Sequence, residues 1–487
     1  MNPLDEFLKR DYAQWRDAPF LHHEAGSCVT ARSFGQFIED VNYVGQYLVD
    51  LGLKGRNVGI YSPNSIEWMT IDAAVMNYIG ISAGFSKEWG EEDVKYGIAK
   101  CDIACLFYSK KLELVVDRIR ADFPDVRFLC IEEAWAHIIA AGKQKLQEMF
   151  CLPSTDIDDV ARIVFTSGTT SFPKAVMLTH RNIFGGWKTL TDRVQVDNSD
   201  LCYLFLPLNH TYGGIYNFIY SLVFGFQLCL AVDVHNMAEE LMKVKPTIFC
   251  SVPKLCIGFL AAARARSIPL GALYGGRIRY LFCGGAMLPR DVLLAYNENG
   301  LRLLNAYALS ETASSFSVDR PGDPVLDSAG TLCDGVEVTV LEPDENGVGE
   351  LAIRGDVVFR GYYGDEEATR SAFNSEGFFL TGDLGYLKDK HVYITGRKDS
   401  RLTLANGENV SSRRLAERVL ALDQTISGVK VYLRDGSLVG DIYINGYHGE
   451  EDIQRKLDLL IAQMNNHYPS YERINRYNLR AAEDLLK

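Results

Sequence analysis

Short apolar runs that end in polar or glycine residues alternate with amphipathic stretches over the first 330 residues. Residues 34–50 (FGQFIEDVNYVGQYLVD) place apolar side chains at helical spacing and predict a helix. Short apolar runs predict buried strands at 58–63, 104–109, 127–131, 247–252 and 279–284. Helical stretches such as 68–79 and 254–265 lie between or beside them. Strands alternating with helices favour a largely parallel sheet, an α/β fold whose active sites collect at the carboxyl ends of the strands.

The pattern changes after about residue 330, where VEVTVLE, GELAIRG and HVYITG predict hairpin strands separated by Asp, Asn and Gly turns. A last segment begins near residue 400 with the strands VKVYLRD and LVGDIYING and the amphipathic helix EEDIQRKLDLLIAQMNN. We therefore expect two domains. The large domain, residues 1–398, has stacked, mostly parallel sheets and a β-rich subdomain, and residues 399–487 form a small α+β domain.

The apolar stretch 218–232 (FIYSLVFGFQLCLAV) is shorter than the roughly 20 residues of a membrane span and contains Gly225 and Gln227. It predicts a buried helix running into a buried strand, and no transmembrane segment. The amino-terminal residues show no signal-peptide pattern. Of the 11 cysteines, the closest pair is Cys101 and Cys105, which is not metal or redox spacing, so small buried thiols in a reducing cytosol are expected. The predicted location is cytoplasmic.

Composition is ordinary for a globular protein, at 47% hydrophobic and 23% charged residues, with a net charge of −13. Such an acidic surface repels nucleic acid, so nucleic-acid binding is not expected. A small anionic substrate stays compatible with it, because a local positive pocket can form inside an acidic protein.

Residues 161–174 (ARIVFTSGTTSFPK) join an apolar strand to a loop of small hydroxyl and glycine residues that ends in Lys174. Backbone N–H groups approach phosphate oxygens closely in such a loop, hydroxyls add donors and lysine adds charge. It is not a Walker A loop, because Pro173 replaces the second glycine and Ala175 follows the lysine. The alternative is a polar surface loop after a strand.

TSGTTSFPK resembles the phosphate loop of the adenylate-forming superfamily, which includes acyl- and aryl-CoA synthetases, peptide-synthetase adenylation domains and beetle luciferases. Further motifs follow in the family's order along essentially the whole chain: PLNHTYGG, FCGGAML, NAYALSET, SAGTLCDG, GELAIRG, FLTGDLG and GRKDSRLTLANGENVSSRRLAE. The resemblance implies that a carboxylate attacks the α-phosphate of ATP, giving an acyl-adenylate and pyrophosphate, and that a thiol then releases AMP. Magnesium suits the joining of two anions.

The resemblance also assigns roles to single residues. Glu311 helps to hold Mg²⁺, Ser310 and Thr166 bond phosphate oxygens, and His210 faces the substrate carboxylate. The pyrophosphate end is enclosed by loop residues Ser167, Gly168, Thr169, Thr170 and Lys174. The adenosine is bound by Tyr307 stacking on adenine, Asn305 bonding its amino group, the backbone of Gly284, Gly285 and Ala286, and Asp383 with Arg397 at the ribose. Asp399 matches the hinge between the domains, and Gly407 the thiol tunnel.

The chain also departs from the family pattern. Ser171 and Ala175 stand where glycine is usual, and Ala308 where glycine follows the tyrosine. The family's last motif carries a catalytic lysine, and the alignment places it several residues beyond Lys487. These departures keep open a catalytically weakened acyl- or adenylate-binding relative.

The substrate expectation comes from the segment LFLPLNHTYGG, which has no acidic residue to hold an amino group, so a plain carboxylic acid is favoured over an amino acid. LANGENVSS resembles the fatty-acyl branch more than the aryl branch. The expected acceptor is CoA or the phosphopantetheine of an acyl or peptidyl carrier protein, with both open. A luciferase-like oxygenase has no specific support.

Overall fold

A computed structural model describes residues 15–25, 28–148, 155–166, 173–191, 193–321, 325–398, 401–403, 409–434, 437–446, 451–466 and 472–486. The chain divides into two compact units, whose segments interleave near residues 339–392. The first unit comprises Met1–Val338, Ile353–Phe379 and Lys388–Val392, and the second Thr339–Ala352, Leu380–Leu387 and Tyr393–Lys487.

The strands are, in chain order, β1 (Pro19–Ala25), β2 (Cys28–Ser33), β3 (Asn57–Tyr61), β4 (Ser82–Phe85), β5 (Ile103–Tyr108), β6 (Arg127–Cys130), β7 (Val160–Thr166), β8 (Lys174–Thr179), β9 (Leu201–Leu204), β10 (Gln227–Leu230), β11 (Ile248–Ser251), β12 (Tyr280–Cys283), β13 (Leu303–Ala308), β14 (Ser315–Val318), β15 (Thr331–Leu332), β16 (Val336–Leu341), β17 (Gly349–Gly355), β18 (Gly361–Tyr362), β19 (Phe379–Lys388), β20 (His391–Arg397), β21 (Arg401–Thr403), β22 (Asn409–Ser411), β23 (Ile426–Arg434), β24 (Ser437–Ile444) and β25 (Arg476–Ala481).

The α-helices are α1 (Phe34–Asp50), α2 (Ile66–Ala74), α3 (Glu91–Lys100), α4 (Glu113–Ile119), α5 (Ile131–Glu148), α6 (His180–Thr191), α7 (Tyr220–Phe224), α8 (Met237–Val244), α9 (Pro253–Arg266), α10 (Leu270–Leu273), α11 (Arg290–Glu298), α12 (Glu366–Ser371), α13 (Ser412–Leu420) and α14 (Glu451–Asn465). Two π-helical segments, Val75–Ile79 and Tyr212–Ile219, continue α2 and precede α7. Among the described residues, none of these helices is long and apolar enough to cross a bilayer.

Two sheets organise the first unit. One has the order β18-β8-β7-β4-β3-β5-β6, and its strands from β7 to β6 are parallel. In the other, the first unit's strands follow the order β15-β14-β13-β12-β11-β9-β10-β1-β2, and those from β13 to β1 are parallel. The α/β prediction is confirmed, and the carboxyl ends of β11, β12 and β13 come together.

Local sequence explains where the first long helix begins. The Ser33 hydroxyl accepts a hydrogen bond from the Gln36 N–H at 3.2 Å, while the Gln36 side chain accepts one from the Ser33 N–H at 3.0 Å. This reciprocal cap satisfies donors that a helix start leaves unpaired. The apolar face of α1 then enters the core with Phe34, Phe37 and Val41 almost fully buried.

The second unit has a four-stranded ladder in the order β16-β17-β19-β20 and a three-stranded sheet, β23-β24-β25. Helices α13 and α14 supply apolar side chains, including Leu415, Val419 and Leu457, to the core of that smaller sheet. The expected α+β character of the last segment is confirmed. A domain boundary at residue 398 stays a prediction.

The predicted burial of the cysteines is confirmed for those the structure describes. These are free thiols, and all are buried: Cys101, Cys105, Cys130, Cys202, Cys229, Cys250, Cys256, Cys283 and Cys333. Burial raises the pKa of Cys101 and of Cys105 to about 12.

Gly330, directly before β15, tests how tightly that strand packs against β14. Its φ is +108°, and a Cβ there would lie 2.8 Å from the backbone nitrogen of Val318. Gly330→Ala therefore adds a backbone clash to the cost of an unfavourable conformation. We expect it to lower the free energy of unfolding by about 3 kcal/mol, measured by urea denaturation.

Gly335→Ala is the matched control, because Gly335 has φ +82° but no atom within 4 Å of a built Cβ. We expect Gly335→Ala to lower the free energy of unfolding by only about 1–2 kcal/mol, the cost of the unfavourable backbone conformation. Equal losses in the two variants would contradict close packing at Gly330.

Candidate active site

The base of the glycine- and hydroxyl-rich loop is an antiparallel hairpin of β7 and β8. Thr166, the last residue of β7, is the direct partner of Lys174, the first residue of β8. Directly opposed residues lie on the same face of the sheet, so the Thr166 and Lys174 side chains are neighbours. The predicted phosphate-binding residues Ser167, Gly168, Thr169 and Thr170, and the departure at Ser171, lie outside the described residues.

Glu311 and Lys174 are linked through one aromatic side chain, Tyr362. The Lys174 ammonium nitrogen lies 4.7 Å from the centroid of the Tyr362 ring. The Tyr362 hydroxyl donates a hydrogen bond to Glu311 Oε1 at 3.0 Å. A cation–π contact and a hydrogen bond to a carboxylate both restrict the groups they join. A cation and a carboxylate from distant motifs therefore lie close together, and their roles toward phosphate and Mg²⁺ stay predictions.

The backbone of Glu311 is positioned by its neighbours. It lies in a single 3₁₀ turn, Ser310–Thr312, and its carbonyl oxygen accepts the Phe359 N–H at 2.8 Å. Ser310 begins the same turn, and its predicted phosphate role stays a prediction.

The predicted adenosine segment lies at the carboxyl ends of β12 and β13. Cys283 of β12 is the parallel partner of Asn305 of β13, so Gly284 lies beside Asn305 and Ala306. A Cβ on Gly284 would lie 3.1 Å from the Ala306 carbonyl oxygen. Gly285 has φ +84°, and Gly285 and Ala286 are exposed. The adenosine-binding roles of Gly284, Gly285 and Ala286 stay predictions.

Asn305 and Tyr307 project from the neighbouring strand. The Asn305 side-chain amide donates to the Ser328 carbonyl oxygen at 3.1 Å, and its backbone N–H donates to Asp319 Oδ2 at 2.8 Å. Tyr307 is 8% exposed, with its ring 4.6 Å from that of Phe316 in an edge-on arrangement. The adenine roles of Asn305 and Tyr307 stay predictions.

His210 lies after β9 and just before the π-helical segment Tyr212–Ile219. It belongs to the segment 206–214, which runs into the start of that helix. Its side chain reaches the surface. Partial desolvation and the positive charge of Arg162 lower the pKa of His210 below its usual range. At neutral pH its imidazole is therefore uncharged and can accept or donate a hydrogen bond.

In the second unit, Asp383 and Arg397 contact each other, and their predicted role at the ribose stays a prediction. Arg397 Nη1 donates to Asp383 Oδ1 at 3.1 Å, across the neighbouring strands β19 and β20. Asp383 is 5% exposed, and its backbone N–H donates to the Thr381 hydroxyl at 3.0 Å. The predicted hinge residue Asp399 and thiol-tunnel residue Gly407 lie outside the described residues.

Two departures from the expected pattern fall on regular strands. Ala175 is fully buried in β8, opposite Phe165, and its carbonyl oxygen accepts the Tyr363 N–H at 2.8 Å. Ala308 ends β13. The added Cβ atoms at these two positions are accommodated within the strands.

Two residues near the site were not singled out in the sequence. Tyr362 gave no usable signal, because its link to Glu311 depends on a contact between residues 51 positions apart. Arg162 did give one, since a lone charge interrupts the apolar run of β7. It forms a fully buried ion pair with Asp72.

Comparison with known proteins identifies a family and a relative of this chain. A family model described as "AMP-binding enzyme" matches residues 8–363. A long chain acyl-CoA synthetase of Arabidopsis thaliana, described as peroxisomal, is 25% identical over 459 residues, covering 79% of this chain. The chain spans 64% of that relative's length.

Solved structures share the fold over nearly the whole chain. ATP-bound MatB from Rhodopseudomonas palustris is 21% identical with a TM-score of 0.82, covering 100% of this chain and 98% of that one. The anthranilate CoA ligase AuaEII, in complex with anthranoyl-AMP, is 19% identical with a TM-score of 0.81, covering 99% and 93%.

Proposed function

Because the chain belongs to the family of AMP-binding enzymes, we propose that it is an AMP-forming ligase that joins a carboxylic acid to a thiol. In the first step a carboxylate oxygen bonds to the α-phosphorus of ATP and the bond to pyrophosphate breaks. In the second step a thiol sulfur bonds to the acyl carbon and AMP leaves. The observation that carries the proposal is the arrangement of Lys174, Tyr362 and Glu311 beside the phosphate-loop hairpin.

Both reactants of the first step are anions, so charge must be neutralised where they meet. Lys174, at the base of the loop, supplies one positive charge to the phosphates. The neutral imidazole of His210 would lie at the acid, where an uncharged donor orients a carboxylate without trapping it as an ion pair. Asp383 would accept hydrogen bonds from the two ribose hydroxyls.

Magnesium fits the donor set. Glu311 Oε1 accepts the Tyr362 hydroxyl, which orients a carboxylate whose oxygens are the ligand type that Mg²⁺ prefers. Among the described residues there is no cluster of three or more His, Cys, Asp or Glu that could hold a metal. One carboxylate suffices when the substrate's phosphates complete the coordination. Bound there, the ion would supply charge for the triphosphate, and Glu311 would hold it.

We propose an apolar acyl chain as the acid, with CoA as the acceptor. Support comes from residues 204–214, LFLPLNHTYGG, which include no acidic residue to hold an amino group. The matched relatives carry the names of acyl-CoA synthetases and CoA ligases. A carrier protein stays the alternative acceptor. A cytoplasmic location stays a prediction.

The test measures pyrophosphate release with a panel of saturated carboxylic acids of increasing length, each with and without CoA. Benzoate and amino acids serve as comparison acids. We expect release that needs both Mg²⁺ and an aliphatic acid, and a thioester only when CoA is present. Binding of MgATP without pyrophosphate release for any acid would instead identify a non-catalytic adenylate-binding relative.

A further inference from the structure

An ion pair lies entirely inside the first unit. Arg162 of β7 and Asp72 of α2 are both 0% exposed, with Arg162 Nη1 3.5 Å from Asp72 Oδ2. The Ser82 hydroxyl donates to the other Asp72 oxygen at 2.6 Å. Removing two charges from water carries a cost that their attraction often does not repay, so such a pair is weak evidence for stability. The contacts that Arg162 makes beyond Asp72 therefore indicate its role.

Arg162 contacts the backbone of the segment 206–214 on both sides of His210. Its Nη2 donates a hydrogen bond to the Leu208 carbonyl oxygen. A Cβ on Gly214 would lie 2.3 Å from Arg162 Nη1, so this glycine lets the chain pass close to the guanidinium. The guanidinium carbon lies 5.2 Å from the Trp68 ring centroid, which closes its other side.

A second side chain holds the same segment. Asn64 donates from Nδ2 to the Leu206 carbonyl oxygen at 2.8 Å and accepts the Leu208 N–H on Oδ1 at 2.9 Å. Together, Asn64 and Arg162 fix three backbone groups just before His210. A Cβ on Gly84 would lie 2.9 Å from the Asn209 Cβ, so the segment also lies directly on the sheet.

We propose that Arg162 is a positioning residue, which with Asp72 and Asn64 holds the segment 206–214 so that His210 is presented to the substrate carboxylate. This rests on the proposed ligase function. The guanidinium is suited to the task because its fixed geometry lets it face the Asp72 carboxylate as an ion pair while Nη2 donates to a carbonyl oxygen. Under the proposed function the phosphates are bound by the loop between β7 and β8 and not by the segment 206–214, so the effect should fall on the acid and not on the nucleotide.

The kinetic test compares Asn64→Ala and Arg162→Met with the parent full-length chain. Since a small misplacement of a reacting group can cost about 100-fold, we expect kcat/KM for the acid in adenylate formation to fall at least about tenfold, with KM for MgATP changed less than about twofold. Arg162→Lys, which keeps the charge but loses the planar guanidinium, should recover part of the loss. Asn64→Ala is the decisive variant, because it leaves the buried ion pair intact.

The matched control is Leu106→Ala, which creates a cavity in β5 of the same sheet, away from the segment 206–214. It should lower the melting temperature without changing the acid's kcat/KM relative to that for MgATP. If Leu106→Ala and Asn64→Ala show the same kinetic pattern, or if both substrates' KM values rise together in Asn64→Ala, the positioning role is wrong.

A readout independent of activity separates this inference from the ligase proposal. In protein labelled with ¹³C at the histidine ring, the signal assigned by His210→Ala should shift in Asn64→Ala and Arg162→Met but not in Leu106→Ala. An inactive parent with these shifts would refute the ligase and keep the positioning role. An active parent without these shifts would refute the positioning role and keep the ligase proposal.

Discussion

Glu311→Ala is expected to lower the rate of acyl-adenylate formation by a factor of about 10²–10³, the usual loss when a preorganised stabiliser of developing charge is removed. The carboxylate is the one that the Tyr362 hydroxyl orients, at 3.0 Å. Without it, the metal-bound triphosphate loses its protein anchor, while AMP, which has no pyrophosphate, keeps its contacts. Pyrophosphate release at saturating acid, together with AMP affinity by calorimetry, measures both effects.

Tyr362→Phe is the matched control for Glu311→Ala. It keeps the ring under the Lys174 ammonium and removes only the hydroxyl that bonds Glu311. At the low end of the usual range of about 1.5–3 kcal/mol for a hydrogen bond to a charged group, this variant should lose adenylation by only about tenfold. If Glu311→Ala adenylates like the parent, or weakens AMP as much as MgATP, then the role given to Glu311 is wrong.

Asp383→Ala should weaken AMP and ATP binding by similar factors, because ribose is common to both. Two charge-assisted hydrogen bonds at about 1.5 kcal/mol each, the lower end of their usual range, sum to about 3 kcal/mol, or about 100-fold in Kd. The carboxylate is almost fully buried and its orientation is set by Arg397. Calorimetric titration with each nucleotide measures the two constants.

Glu350→Gln controls for general damage to the second unit. Glu350 receives the Gly382 N–H and the Lys398 ammonium, at 3.1 and 2.7 Å, immediately beside the Asp383 pair. The amide keeps the size of the side chain and one acceptor, so nucleotide affinity should change by less than about threefold. A loss in Glu350→Gln equal to that in Asp383→Ala would mean that local packing, and not the ribose, explains the effect.

Most elements of the fold follow from hydrophobic spacing. The predicted helix at 34–50 is the helix Phe34–Asp50, and the apolar run at 218–232 divides into the helix Tyr220–Phe224 and the strand Gln227–Leu230. The stretch predicted as one helix at 68–79 changes at Val75 into a π-helical turn. Apolar periodicity does not distinguish an α-helix from a π-helix. The two differ in which carbonyl oxygen each N–H reaches, and that depends on tertiary packing.

The site was predictable only as far as its motifs are continuous in the sequence. Lys174, Glu311, Asp383 and Arg397 each lie in such a motif, and in the structure the last two share a hydrogen bond. The contacts of Tyr362 and the buried bond from Arg162 to Leu208 join residues far apart in sequence. A lone arginine in an apolar strand indicates that a partner exists, but only the folded chain identifies it.

The buried cysteines can report local unfolding of the protein. Nine described thiols lie in the interior, and they are distributed over both sheets of the first unit and the helices against them. An alkylating reagent can modify such a thiol only while its surroundings are open, so the rate at which each cysteine is labelled gives the free energy of that opening. Mass spectrometry of briefly alkylated protein would therefore map which parts of the first unit open first, and no engineered probe is needed.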